Sequence, residues 1–487
     1  MSKHFLLKSA FWLTVSEIIY NLSGYIIHSA MGRILGPEDY GRYGLVVTLT
    51  TMIIILIGNG IPTAMSKYLS EFFESKPEMV SAIKRQALRL QFFVIGSITV
   101  IFFLLSPLLA RILGDPSLTE LFRISTLIIP TFAAASFYFY YYTGIHKFNL
   151  QAILKTFRSI FRVITIVGLA YIFGVEGSIA GYFVAPFAVF LVAYFIDKIW
   201  ISKKYPASKN ASFEWKKLAN YAWPVTLFML FYELFISIDL YLVQGILKDE
   251  YLTGIYNGSL TVSRIPYYLF YALTIILLPV ISKTTSENNH KETFSIISSA
   301  LRLMLIMLFP GVILMSIYSS QILTLFYGKA FIEGALAMSI LAVGVGFLTI
   351  FYVLSFVMNG AGKVMIPMWI AFFGFCVNAT FNFILIGKYG ILGSAVATTI
   401  TSFVIMTVML YFIGKNFAVS IKLNSLLKII IASTLLMAST LFLPTSVALF
   451  LLSSLVALTV YFTSLYLLGE ISPADLEMAR NLVAKKK

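Results

Sequence analysis

The chain is short of the residues that coat a water-soluble protein. Asp and Glu number 21, Lys and Arg 36 and His 4 among 487 residues, so 12% of positions are charged, against about 25% in a soluble globule. Apolar residues fill the gap at 59%, with a mean hydropathy of +0.90. Too little polar surface remains to face water, which excludes a soluble enzyme, a disordered regulator and a secreted scaffold. Cysteine is scarcer still. Cys376 stands alone in an apolar run, so neither a disulfide framework nor a cysteine metal site is available. Long polar loops are missing too, and with them the outer-loop carboxylates of a membrane glycosyltransferase or polymerase. A phosphate-cradling loop, a metalloprotease motif and a nucleophile elbow are all absent. Asn359-Gly360-Ala361-Gly362-Lys363 lacks the spacing of the first. No covalent chemistry and no cofactor are expected.

What is present is apolar runs. A membrane helix takes roughly 20 mainly apolar residues. Fourteen such spans are predicted, over 9–31, 44–66, 89–112, 119–143, 152–174, 177–199, 217–246, 254–281, 294–318, 331–358, 364–387, 390–414, 426–443 and 447–468. The net charge of +15 is spread over the short loops between them, a pattern of membrane topology and not of a nucleic-acid face. Of the 36 basic residues, 28 fall on the side of the N-terminus and 7 on the other. The positive-inside rule therefore places both termini in the cytoplasm of a multi-pass cell-membrane protein. Span one holds Glu17, Asn21 and His28 and lacks a small-residue cleavage site, so it reads as a retained helix. Residues 67–88 are expected to form an interfacial amphipathic helix. Lys485-Lys486-Lys487 suits anionic lipid headgroups.

The two halves repeat each other. Ile34-Leu35-Gly36-Pro37-Glu38-Asp39-Tyr40-Gly41 after span one answers Ile246-Leu247-Lys248-Asp249-Glu250-Tyr251 after span seven. Pro62 with Ser66-Lys67 answers Pro279 with Ser282-Lys283. Gly144-Ile145-His146-Lys147 answers Gly360-Ala361-Gly362-Lys363. The separations stay between 212 and 217 residues. Six spans per repeat is an even number, so both repeats enter the membrane in the same sense and are related by an axis along its normal. The expected organisation is a first six-helix bundle over 1–199, a linker over 200–216, a second bundle over 217–414, two additional helices over 415–468 and a tail over 469–487. Two such bundles facing each other make a cleft that rocking exposes to either side.

The Leu35-Gly36-Pro37-Glu38-Asp39-Tyr40-Gly41 element, with the six-plus-six-plus-two topology, resembles the polysaccharide-biosynthesis flippases. These belong to the multidrug/oligosaccharidyl-lipid/polysaccharide exporter superfamily, and the likeness covers essentially the whole chain. The resemblance implies an all-α polytopic fold shared with multidrug exporters and the lipid II flippase. It implies translocation of a lipid-linked oligosaccharide from the inner to the outer leaflet, among membrane lipids and beside glycan polymerase or glycosyltransferase machinery. A cation-coupled multidrug exporter is the alternative within the same superfamily.

Polar residues at membrane depth are costly and are functional candidates by default. In span one, Glu17, Asn21, Gly24 and His28 share a helical face near Tyr25. In span eight, Asn257, Thr261, Arg264, Tyr268 and Tyr271 do the same, and both stripes are assigned to the cleft. Arg264 would take a lipid pyrophosphate in forked geometry, and Tyr25, Tyr268 and Tyr271 would stack on sugars. The structural alternative is that Glu17 and Arg264 neutralise each other. Lys155, Arg158 and Arg162 line one face of span five, either to receive headgroup phosphates or to snorkel to the interface. The run Tyr138-Phe139-Tyr140-Tyr141-Tyr142 reads as an interfacial aromatic belt. Asp239, Asn378, Asn382, Ser394 and Thr398 offer hard oxygen ligands for Na⁺, with H⁺ on Asp239 as the other coupling ion. The set is similar to the sodium site of the lipid II flippase branch, with Asn382 where that branch has an acid and Ser394 where it has an apolar residue. A hydrogen-bonded cluster joining helices is the alternative.

Overall fold

In a computed structural model the described backbone covers residues 3–58, 60–205, 212–287, 289–419 and 423–471. It is helical throughout, with no strand among these residues. The helices are α1 (Lys3–Gly58), α2 (Gly60–Phe72), α3 (Glu78–Ile112), α4 (Leu118–Ser125), α5 (Ile128–Gly144), α6 (Phe148–Ile196) and α7 (Trp215–Leu247). They continue with α8 (Glu250–Ser263), α9 (Ile265–Ser286), α10 (His290–Ile317), α11 (Ser319–Tyr327), α12 (Ala335–Gly360), α13 (Met365–Phe417), α14 (Leu423–Thr440) and α15 (Phe450–Leu467). Three of them are too long for one crossing and break at a glycine: α1 at Gly36, α6 at Gly174 and α13 at Gly390. Counting each as two spans, and joining α2 to the second half of α1, α4 to α5, α8 to α9 and the short α11 to α12, gives the fourteen spans the apolar runs predict.

The Gly36 break shows how the sequence builds a hairpin. Gly36 takes φ 72°, a conformation open to it because it lacks a Cβ. Pro37 follows with φ already set for a helix and no N–H to satisfy, and Glu38 and Asp39 place negative charge at the new N-terminus. The second repeat turns at Lys248, which adopts a left-handed φ of 52° despite its side chain, before Asp249 caps α8 through a 2.9 Å bond from the Leu252 amide. Left-handed positions recur at matching places: Gly36 and Lys248, Gly114 and Gly328, His146 and Gly362, Gly174 and Gly390. Gly174 and Gly390 agree closely, with ψ of −135° and −138°. Three residues on, a Cβ at Gly177 would lie 2.1 Å from the Leu169 carbonyl oxygen, and one at Gly393 would lie 2.2 Å from that of Leu385. The backbone thus carries the internal repeat into stretches where the side chains have diverged.

Cα proximity groups the chain into two compact units, one of residues 1–258 with 371–394 and one of 259–370 with 395–487. The first contains an aromatic core in which Tyr138, Phe139, Tyr141 and Tyr142 are all buried. The expected aromatic belt is therefore an interior feature. Tyr142 donates to the Ala193 carbonyl at 2.6 Å, and the Lys84–Asp197 ion pair sits against the rings of Tyr138 and Tyr141. Residues 67–88 are not a separate interfacial helix, because they end α2, turn, and begin α3. In the linker, Phe213 packs on Tyr68 while residues 206–211 lie outside the described set. In the second unit the hairpin of α14 and α15 docks on α10. Tyr461 donates to the Ile306 carbonyl at 3.0 Å, and buried Glu470 accepts from Arg302 at 2.9 Å. The tail from residue 472, with Lys485-Lys486-Lys487, lies outside the described residues.

Candidate functional site

Span five turns its basic stripe inward, not to the interface. Lys155, Arg158 and Arg162 lie on α6 at spacings of three and four, one face of the helix, and that face meets α1. Lys155 forms an ion pair with Glu17. Arg162 donates from Nε to the Ser23 hydroxyl at 3.0 Å and from Nη2 to the Tyr20 carbonyl, and its guanidinium stacks 4.0 Å from the Tyr20 ring centre. Glu17, Tyr20 and Ser23 stand one helical turn apart, so the contact face of span one runs through Tyr20. Gly24 belongs to it too, since a Cβ there would lie 3.4 Å from Arg162.

Arg158 sits deepest, with 4% of its surface exposed. The rings of Phe132, Phe139 and Tyr20 surround its guanidinium at 4.5, 4.8 and 5.3 Å. Its Nε and Nη1 are buried with no hydrogen-bond partner. Aromatic faces offset part of the cost of burying that charge, but they satisfy no N–H. One carboxylate, Glu17, stands against three cations, leaving two positive charges in the cluster. A buried, under-satisfied guanidinium is expensive unless something polar meets it.

It faces a cavity of about 110 Å³ bounded by Tyr20, Thr50, Phe132, Arg158, Arg162 and Tyr182, with Val47, Ile54, Ile128 and Pro186 as an apolar wall. The Tyr182 hydroxyl is fixed by a 2.8 Å hydrogen bond with that of Tyr43. A cavity of about 150 Å³ holds one benzene, so this space admits one tetrahedral oxyanion. A sugar would lie outside it.

The other sequence-derived residues fall as follows. Asn21 and Tyr25 are half-buried on α1, and His28 Nδ1 lies 2.9 Å from the Tyr40 hydroxyl. Arg264, in the second unit, occupies the turn between α8 and α9, with Tyr268 exposed one turn on. The side chain of Tyr271 lies outside the described set. In the first unit Asp239, Asn378, Asn382 and Ser394 are fully buried. Asp239 accepts from the Tyr256 hydroxyl at 2.8 Å and the Leu240 amide at 2.9 Å. Asn382 donates to Asn378 Oδ1 at 2.8 Å and accepts from Ser394 at 2.6 Å, while Asn378 donates to the Phe235 carbonyl at 3.1 Å. Thr398 is buried in the second unit. No group of three or more His, Cys, Asp or Glu side chains is placed to hold a metal ion among the described residues.

Sequence reading missed Tyr20, Ser23, Thr50 and Tyr182. Tyr20 lies one place from Asn21, on the neighbouring edge of the same helix. A spacing of three from Glu17, matched to the three-and-four spacing of the basic stripe, is the signal that finds it.

Fourteen spans, twelve of them in two six-span repeats and two in an added hairpin, with uncompensated charge inside the first repeat, define a polytopic membrane transporter. The chain belongs to the polysaccharide biosynthesis protein family, whose model matches residues 6–285, and to the exporter superfamily that this family shares with the MatE family, matched over 216–384. It is 26% identical over 421 residues to an uncharacterized membrane protein of Methanocaldococcus jannaschii, covering 82% of this chain and 95% of that one. It is 23% identical to the capsular polysaccharide biosynthesis protein CapF of Staphylococcus aureus, covering 85% and 100%. Its fold is similar to that of the lipid II flippase MurJ in an inward closed conformation, with a TM-score of 0.76, 18% identity and coverage of 93% and 97%.

Proposed function

We propose that this protein carries a lipid-linked oligosaccharide from the inner to the outer leaflet of the cytoplasmic membrane by alternating access, with both termini in the cytoplasm. The observation that supports this reading best is Arg158, a buried guanidinium with unpaired N–H groups, beside Arg162 and a cavity the size of one oxyanion. Guanidinium groups match phosphate oxygens in forked geometry. A polyprenyl-phosphate cargo would seat a phosphoryl oxygen there, with its sugars outside the cavity and its tail in lipid. Arg264 would meet the same headgroup along its path. Family membership and the name of CapF agree with a glycan cargo. The MatE match favours a multidrug exporter as the second reading, but a cavity with two excess positive charges repels the cationic drugs such exporters take.

Coupling is assigned to Asp239. A carboxylate, two amide carbonyls and a hydroxyl suit a hard monovalent cation, and Asp239 with Asn378, Asn382 and Ser394 supplies them within one unit. Na⁺ or H⁺ uptake there would reset the carrier. Asp239→Asn should abolish the dependence of transport on that ion, and an unchanged ion response would leave the cluster a purely structural one.

Lipid analysis of a strain lacking the gene, beside the complemented strain, tests the cargo. Lipid-linked oligosaccharide should accumulate in the deletion while surface glycan falls. Normal glycan with heightened sensitivity to cationic drugs would move the assignment to the exporter reading.

A further inference from the structure

Within the first unit, the start of the second half of α1 and the start of α8 meet backbone to backbone. A Cβ placed on Gly41 would lie 2.3 Å from the Glu250 carbonyl oxygen and 2.9 Å from the Gly254 nitrogen. One on Gly254 would lie 1.7 Å from the Pro37 carbonyl oxygen and 3.0 Å from the Gly41 nitrogen. The contact is reciprocal. Gly41 and Gly254 are equivalent positions of the two repeats, 213 residues apart, so each touches the turn that precedes the other. One turn along, the next equivalent pair continues the seam, with the Gly44 Cβ position 2.1 Å from Asn257 Nδ2. That nitrogen is buried and has no hydrogen-bond partner. Glycine here is required by proximity, because any side chain would drive the two helices apart. Small residues let membrane helices pack closely in a lasting joint as well as in one that parts. What marks this seam is the unpaired Asn257 amide, whose burial costs free energy while the seam is closed and is relieved when it opens.

We infer that Gly41 and Gly254, with Gly44 and Asn257 behind them, form a paired-glycine latch. The latch closes the passage between the leading hairpins of the two repeats on the side where Gly36 and Lys248 turn. On the topology proposed above this is the outer face. Transport requires the seam to open once per cycle, and Asn257 then exchanges its apolar burial for water or for a polar group of the passing cargo. The inference rests on the alternating-access reading, but its test reads the latch without reference to cargo.

The test uses full-length protein in its membrane, with Cys376→Ser as background. Gly44→Cys combined with Asn257→Cys brings two Cβ positions within disulfide range, typically about 3.5–4.5 Å. Oxidation should cross-link them and abolish surface-glycan output in the complemented deletion strain, and reduction should restore it. Separately, Asn257→Cys alone should react slowly with an impermeant maleimide added outside, and adding Gly254→Val should raise that rate about tenfold or more by wedging the seam open. Quantitative cross-linking with undiminished glycan output would overturn the latch, because the contact would then be static. So would an unchanged maleimide rate in a Gly254→Val variant that inserts normally. If the Cys376→Ser background itself restores no glycan, the cargo reading fails instead, and the maleimide rates still decide the latch.

Discussion

At the residue scale the account turns on which side chains hold charge in the interior. Arg158 has no partner for Nε and Nη1 and faces a space an oxyanion fits. A hydrogen bond to a charged group is worth about 1.5–3 kcal/mol, so Arg158→Gln should lower transport by roughly 10- to 100-fold. Arg158→Lys should recover only part of that, since an ammonium cannot fork. Both variants should insert and elute as folded protein, and transport at the normal rate by Arg158→Gln would remove the residue from the site. His146 lies outside the spans, in the turn between α5 and α6, at a left-handed φ of 57° and packed on Phe73 and Phe148. Burial pushes its imidazole below the ordinary value, against the opposing pull of Glu74. A histidine held neutral by the fold costs stability once the unfolded chain begins to protonate, so stability should fall as pH drops below about 6.5. Melting in detergent at pH 7.5 and pH 5.5 checks this. His146→Asn, which tolerates the same backbone, should narrow the gap between the two. An equal gap in both proteins would place the acid sensitivity elsewhere.

At the scale of elements, the hairpins were the most legible part of the sequence. A glycine followed by proline and two acids can do little else but end one helix and start another, and the breaks at Gly174 and Gly390 fall where the apolar runs end. Lys248 was not legible as a left-handed residue, because only its register with Gly36 marks it. The difference has a measurable consequence. Gly390, at φ 57° and ψ −138°, occupies a region nearly closed to other residues, so Gly390→Ala should cost about 1–3 kcal/mol. Lys248→Gly should stabilise the turn by about 1 kcal/mol, because Lys248 holds a left-handed helical φ and ψ that glycine adopts without a Cβ clash. Thermal melts of the two variants should therefore shift in opposite directions. Less could be read of the faces between elements. The run Tyr138-Phe139-Tyr140-Tyr141-Tyr142 covers every side of its helix, so composition alone suits a lipid interface as well as an interior. The neighbours decide it, and α2, α3, α6 and the start of α7 close over the rings. Periodicity likewise identified the basic stripe of span five but not the helix it meets, and that placed Tyr20 one residue from the face first drawn.

At the scale of the molecule, the repeat links fold to function. Two equivalent hairpin sets give two equivalent glycines that meet at Gly41 and Gly254, while the charge is unequally shared. The first repeat holds the cationic cavity, and the buried oxygens of Asp239, Asn378, Asn382 and Ser394 belong to spans of the second. On this account one repeat reads the cargo's anion and the other takes up the coupling ion, so movement of either depends on both. The most direct measurement is translocation in proteoliposomes of a polyprenyl-phosphate-linked oligosaccharide carrying a fluorophore, followed by its accessibility to an external quencher. The purified protein should move the lipid across the bilayer, and Arg158→Gln in equal amount should move it roughly 10- to 100-fold more slowly. Failure of the unaltered protein to move it, with uptake of a cationic dye in the same vesicles, would contradict the account.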